Sequence, residues 1–174
     1  ITDVGVQQIA GNLTDNYNSG NKLLSLSEAT AQSTSVAAIG VAAHECGHAV
    51  QDAKNYFPLK LRAAIVPVAN IGSTLSFPLI MLGVIMSWNQ TLINVGILAF
   101  SLALVFQLVT LPVEFDASRR ALSILREGNM LAEDELAAAR KVLMAAALTY
   151  VAAALATFLQ LLRLVLLFGN RSRD

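Results

Sequence analysis

At 174 residues the chain is long enough for one domain, or for a small domain with an appendage. Hydrophobic residues make up 55% of it and charged ones only 14%, with a positive mean hydropathy, which sets aside an ordinary soluble domain and makes a membrane protein the first expectation. Twelve basic side chains balance twelve acidic ones, so no basic excess draws nucleic acid, and a single cysteine excludes an internal disulfide.

The chain opens on Ile1 rather than methionine, which points to a fragment. Residues 1–32 are its polar part. Val4 to Ile9 alternates in the manner of a short strand, and Ala10-Gly11-Asn12 breaks it. Residues 12–17 and 22–27 flank Asn18-Ser19-Gly20-Asn21, a turn signal that predicts a β-hairpin. Ser33, Thr34 and Ser35 are then candidate N-caps for an apolar run that begins at Val36.

That run leads into His44-Glu45-Cys46-Gly47-His48, an HExxH motif. On a helix, histidines four apart lie about 6 Å apart along the axis and on one face, so both imidazoles reach a single metal ion. Glu45 beside them is placed to take a proton from a metal-bound water and to pass it to a leaving amine. The alternative is a core helix whose histidines are merely hydrogen-bonded. Against it, the chain has only two histidines and both fall in this motif, and His-Glu-His would be costly to bury without a metal or partners. Cys46 is turned away from the face that carries the histidines and reads as a small packed residue. In zinc peptidases of this general architecture an edge strand beside the helix holds the substrate extended, and residues 22–27 are the candidate for that strand.

No charged residue occurs from Ala63 to Val113, a run long enough to cross a bilayer twice. Ser87-Trp88-Asn89-Gln90-Thr91 divides it into spans over residues 66–87 and 92–111. Pro67, Gly72, Pro78 and Gly83 predict a first span that is kinked or closely packed. Asn70 within it is read as a helix-to-helix hydrogen-bonding residue, the alternative being a part of the site.

Charge returns after Thr110. Pro112 suits the first turn of a new helix and Glu114 and Asp116 suit its N-terminal dipole. A two-histidine peptidase site needs a third protein ligand and an open fourth position. With no third histidine, a carboxylate must serve. Glu114 and Asp116 are the candidates and Glu114 is preferred, since Asp116 can pair with Arg120 at i+4. Gly128-Asn129 should end this helix. The next begins near Leu131 and runs to Phe168, about 55 Å, with its first turns in water and residues 142–162 as an Ala-rich third span. Arg163 near its far end snorkels or faces a polar cavity.

The chain therefore divides into residues 1–62, a zincin-like part; 63–112, a transmembrane hairpin; 113–141, a helical segment with the third ligand; and 142–174, a third span and tail. Lys54, Lys60, Arg62, Arg119, Arg120, Arg126, Arg140 and Lys141 lie on the motif side of the spans. The 87–91 turn has no basic residue, and the C-terminal end has Arg171 and Arg173. The bias favours a cytoplasmic catalytic face.

Leu13-Thr14-Asp15-Asn16-Tyr17, Leu24-Ser25-Leu26-Ser27, the run from Ser35 to Glu45, Val66-Pro67-Val68-Ala69-Asn70-Ile71-Gly72-Ser73, Leu111-Pro112-Val113-Glu114-Phe115 and the run from Ala145 to Ala152 resemble, in order and spacing, the YugP-type neutral zinc metallopeptidases of bacterial membranes. That family is distantly similar to the HtpX-like and CAAX prenyl peptidases, in which a Glu opening a helix after a membrane hairpin is the third zinc ligand. The resemblance carries that role to Glu114. It implies a mainly α membrane protein with a zincin-like HExxH helix, a small β-hairpin and three transmembrane helices in the bacterial cell membrane. It also implies a gluzincin-type hydrolase with Zn2+ on His44, His48 and Glu114. In HtpX-like relatives an Asp four residues after the ligand Glu orients a histidine, whereas here that position is Ser118. Asn16 stands where the family leads one to expect a histidine.

Three functions are in play. The first is a membrane-anchored zinc endopeptidase with Glu45 as general base, acting on protein or peptide substrates that include membrane proteins. Its candidate oxyanion donors are Tyr17, Asn70, Arg119 and Arg120. The second is a site-2-type intramembrane protease, which would want the motif inside a span and a later Asp-Gly pair; this chain has no Asp-Gly. The third is a non-enzymatic membrane scaffold with a structural zinc closed by Asp116 or Cys46 as a fourth ligand.

Overall fold

The computed structural model describes residues 1–169, so Arg171, Arg173 and the rest of the tail lie outside the described residues. It is mainly helical with one small sheet, and three of its helices are long and apolar enough to cross a membrane. Two compact units divide the chain: Ile1–Leu59 with Pro112–Thr149, and Lys60–Leu111 with the chain from Tyr150 onward.

In the first unit, strands β1 (Gly5–Ile9), β2 (Asn16–Asn18) and β3 (Leu23–Ser27) form a sheet in the order β1-β3-β2. The expected hairpin is β2 and β3, paired antiparallel through Tyr17 and Leu24. Its turn is held by the Asn18 side chain, whose Oδ1 accepts from the Gly20 N–H at 2.8 Å. β1 adds in parallel on the other side of β3, Gly5 opposite Leu23 through Ile9 opposite Ser27. The expectation of β3 as a free edge for substrate is therefore corrected, because it is the central strand. Burial follows that order. Leu24, Ser25 and Ser27 are buried, whereas β1 is exposed along most of its length, so the strand with surface to bury takes the middle. Even the end of β3 is engaged, since Asp15 Oδ1 accepts from the Ser27 N–H at 2.8 Å.

After a single turn of helix, α1 (Glu28–Ala31), the motif helix α2 runs over Val36–Ala53. Ser35 is its cap, accepting from the Ala38 N–H. Asn55, with φ of 53°, takes the left-handed conformation that ends the helix. Helix α3 covers Phe57–Ile85, α4 covers Gln90–Glu127, and α5 covers Glu133–Phe168. The turn expected at Gly128-Asn129 separates α4 from α5, with Asn129 at φ 48°. The Glu135 carboxylate accepts from the Ala132 N–H ahead of α5, as in a capping box. Ala43 of α2, Ala121 and Leu125 of α4, and Leu136, Ala139 and Leu143 of α5 make the core of this unit. The three alanines in that core, one from each helix, let the helices approach closely.

Pro112 does not open a new helix. It lies inside α4, which continues without a break from the apolar stretch to Glu127, so Glu114 is mid-helix rather than at an N-terminus. A proline in a helix interior removes one hydrogen bond and costs about 3 kcal/mol. Ending one helix and starting another beside a bilayer would leave up to four carbonyls and four N–H groups to satisfy. Continuing is the cheaper course.

In the second unit α3 and the first part of α4 form the expected apolar hairpin. Small residues set its spacing: a side chain at Gly72 would meet the Ala99 carbonyl at 2.7 Å, and one at Gly96 would meet the Ser76 carbonyl at 2.9 Å. Ser76 Oγ donates back to the Gly96 carbonyl at 2.8 Å, satisfying a buried hydroxyl within the apolar pair. In the turn, Ser87 and Trp88 both have positive φ, and the Trp88 ring stacks on Phe168 with centroids 5.8 Å apart.

Candidate metal centre

The helical repeat puts His44 and His48 one turn apart on α2, their ring centroids 4.8 Å apart and nearly perpendicular. Helix α4 brings Glu114 to them. Its Oε2 lies 3.0 Å from His44 Nε2 and 3.7 Å from His48 Nε2. One ligand atom from each of the three residues lies within 4.8 Å of the others, and the group is largely buried.

What permits this approach is Gly47. A Cβ there would sit 2.4 Å from the Ala117 carbonyl oxygen, so α2 and α4 touch backbone to backbone one residue from His48 and three from Glu114. Ala117 and Ala121 continue the small-residue face of α4 and are fully buried.

Each imidazole is also held from behind. His48 Nδ1 lies 3.0 Å from Gln51 Oε1, while Gln51 Nε2 donates to the Val113 carbonyl at 2.8 Å and to Asp116 Oδ2 at 2.9 Å. With the Gln51 amide nitrogen engaged as donor, its oxygen accepts, so His48 carries its proton on Nδ1 and presents a lone pair on Nε2. His44 Nδ1 lies 3.0 Å from Ser118 Oγ, four residues after Glu114. The position where a carboxylate was expected thus sets a hydroxyl against this imidazole. Two imidazole nitrogens with their far sides tied, converging with a buried carboxylate, are the donor set that zinc takes. These residues fit that ion.

Glu45 is buried beside His44. Burial pushes its carboxyl above the usual carboxylate range, against the pull of His48 and His44. Asp116, the other candidate ligand, is not in the group. Its carboxylate accepts from Gln51, from Arg119, and from Arg120 Nε at 2.6 Å, so the i+4 pair expected in the sequence is present as part of a larger network. Cys46 also lies outside the group and lines a separate cavity with Leu26 and Leu125.

Among the candidate oxyanion donors, Tyr17 Oη donates to Asp52 Oδ2 at 2.8 Å, and burial together with that carboxylate raises the phenol above its ordinary value. Arg119 and Arg120 are both paired with Asp116. Asn70 belongs to the other unit. Sequence reasoning did not single out Gln51. The available signal was an amide three residues beyond His48, on the helix face that carries the two histidines.

Gln51 is wholly buried, and its loss is expected to act through His48. Gln51→Leu should weaken zinc binding about 10- to 100-fold with helical content retained. Competition against a chromophoric chelator measures this. Unchanged affinity would reduce Gln51 to a packing residue.

A family model described as "Putative neutral zinc metallopeptidase" matches residues 1–169. A Bacillus subtilis (strain 168) protein named "Putative membrane protease YugP" is 46% identical over 168 residues, which cover 97% of this chain and 74% of that protein. No solved structure matches the chain significantly.

Proposed function

This chain belongs to the putative neutral zinc metallopeptidase family, and from that premise we propose that it is a membrane-anchored zinc endopeptidase with Glu45 as its general base. The observation that carries the reading is the convergence of His44, His48 and Glu114 beside a buried Glu45. His44, His48 and Glu114 would hold the ion. Zinc, when bound, supplies a Lewis acid that brings the pKa of a water to about 7 and polarises a carbonyl.

The chain's own residues do the rest. The Glu45 carboxylate takes a proton from the attacking water and delivers it to the departing nitrogen, a transfer for which its buried setting raises its proton affinity. Ser118 and Gln51 keep the two imidazoles turned toward Glu114. Gly47 sets the depth at which α4 presents that carboxylate.

Anchoring rests on the three long apolar helices and on the name of the Bacillus relative, a membrane protease. The Bacillus relative supports a bacterial cell membrane, and the basic residues beside the motif favour a site on its cytoplasmic face. Its substrates would be proteins or peptides presented at that surface, membrane proteins among them. The motif helix α2 is not one of the three candidate spans, which weighs against an intramembrane protease of the site-2 type. Among the described residues no fourth His, Cys, Asp or Glu joins the group, which weighs against a closed structural site.

The test is cleavage of casein by the detergent-purified chain, with zinc measured before and after chelation. Cleavage that stops on chelation and returns with added zinc is expected. Zinc bound with no cleavage of casein or of membrane-protein loops would give the scaffold reading the advantage.

A further inference from the structure

A cavity of about 700 Å³ lies along the faces of α4 and α5 in the first unit. Its lining divides by chemistry. Arg119, Arg126 and Arg140 supply three guanidinium groups, while Phe115, Leu143 and Met144 supply apolar wall. The order along each helix sorts these residues. On α4, Phe115 follows closely on the apolar stretch that ends at Leu111, and Arg119 and Arg126 come successively later. On α5, Arg140 precedes the apolar run that starts at Val142, and Leu143 and Met144 lie inside it. Apart from Leu122, which lies between Arg119 and Arg126, the apolar wall thus belongs to the turns nearest the membrane stretches and the arginines to the turns beyond them.

Two further observations say what this cavity takes. Arg119 is paired with Asp116, but among the described residues no carboxylate lies within ion-pair reach of Arg126 or Arg140. The one carboxylate on the lining, Asp116, is already committed to Arg119, Arg120 and Gln51, so Arg126 and Arg140 form an anion site, and guanidinium suits phosphate through paired N–H donors. Phe115 and Met144 are also 39% and 47% exposed, an apolar opening beside that anion site. Inorganic phosphate would leave the apolar wall uncovered. An extended acidic peptide would set its own N–H and C=O groups against that wall without partners.

We propose that this cavity binds an anionic phospholipid, with the headgroup phosphate on Arg126 and Arg140 and an acyl chain along Phe115, Leu143 and Met144. The site is separate from the metal centre but adjoins it. Ser118 lines the same cavity and is the residue whose hydroxyl meets His44.

The test is native mass spectrometry of the detergent-purified full chain offered equal amounts of phosphatidylglycerol and phosphatidylcholine. The unmodified chain should retain phosphatidylglycerol preferentially. Arg126→Gln with Arg140→Gln should reduce that preference on the order of tenfold or more, and Arg126→Lys with Arg140→Lys should keep most of it. Should the double glutamine variant fail to fold, Met144→Glu, which sets a negative charge at the apolar wall, decides the matter by losing the same lipid. Equal retention of the two lipids by the unmodified chain would overturn the proposal, as would a preference that survives in the folded variants. Displacement of the lipid by millimolar inorganic phosphate would mean a free-phosphate site, and displacement by a soluble acidic peptide a peptide site; either result would also overturn it.

Discussion

Glu45→Gln is expected to bind zinc as the unmodified chain does and to cleave casein about 10²- to 10⁴-fold more slowly. The substitution keeps the size and hydrogen-bonding reach of the side chain and removes its capacity to take a proton. It also removes a carboxyl whose ionisation burial already disfavours, so the fold should be unharmed. Zinc content and cleavage rate, taken on the same preparation, separate the two roles. A variant that retains zinc and full cleavage would mean that the base lies elsewhere. One that loses zinc would mean that Glu45 supports the ligand set rather than the proton transfer.

Removal of Glu114 should act in the opposite order, on the metal first. Glu114→Ala leaves His44 and His48 facing a gap where they now meet a carboxylate oxygen at 3.0 and 3.7 Å. Zinc affinity should fall by more than the roughly 10- to 100-fold expected for an outer partner such as Gln51, with cleavage lost at ordinary zinc concentrations. Asp116→Asn is the matched comparison, two residues away and also buried, but committed to Gln51 and two arginines. Its effect on zinc should be no larger than that of Gln51→Leu. If Asp116→Asn released zinc and Glu114→Ala retained it, the ligand assignment would be reversed.

Much of this arrangement was legible in the sequence because it follows from short-range periodicity. The spacing of His44 and His48 is a property of any helix, and the uncharged run from Ala63 to Val113 is a property of the bilayer. That Glu114 would lie with the two histidines could be reached because the search for a third ligand left few acids to choose from. The misses lie where distant segments meet. Pairing of β1 with β3 depends on contacts between residues 18 apart, and no local signal says which of two strands will be central. Pro112 reads locally as a helix start, yet the cost of freeing backbone groups near a membrane outweighs that preference. The chain from His48 through Gln51 to Asp116 is likewise closed only by docking α2 on α4. Ser118 was noted in the sequence as a missing carboxylate. That its hydroxyl still meets His44 is a matter of geometry that only coordinates could supply.

The contact made possible by Gly47 joins segments that are remote along the chain: His44 and Glu114 are 70 positions apart. On the proposed reading no stretch containing α2 alone holds all three ligands, so zinc occupancy and docking of the two helices would be thermodynamically linked. Any zinc in excess of its dissociation constant therefore favours the docked arrangement, by about 2.7 kcal/mol at a hundredfold excess. A chelator accordingly does two things at once. It would withdraw the proposed Lewis acid together with a clasp that favours α2 lying against α4, so resistance to heat and to proteolysis should follow metal supply as closely as turnover does.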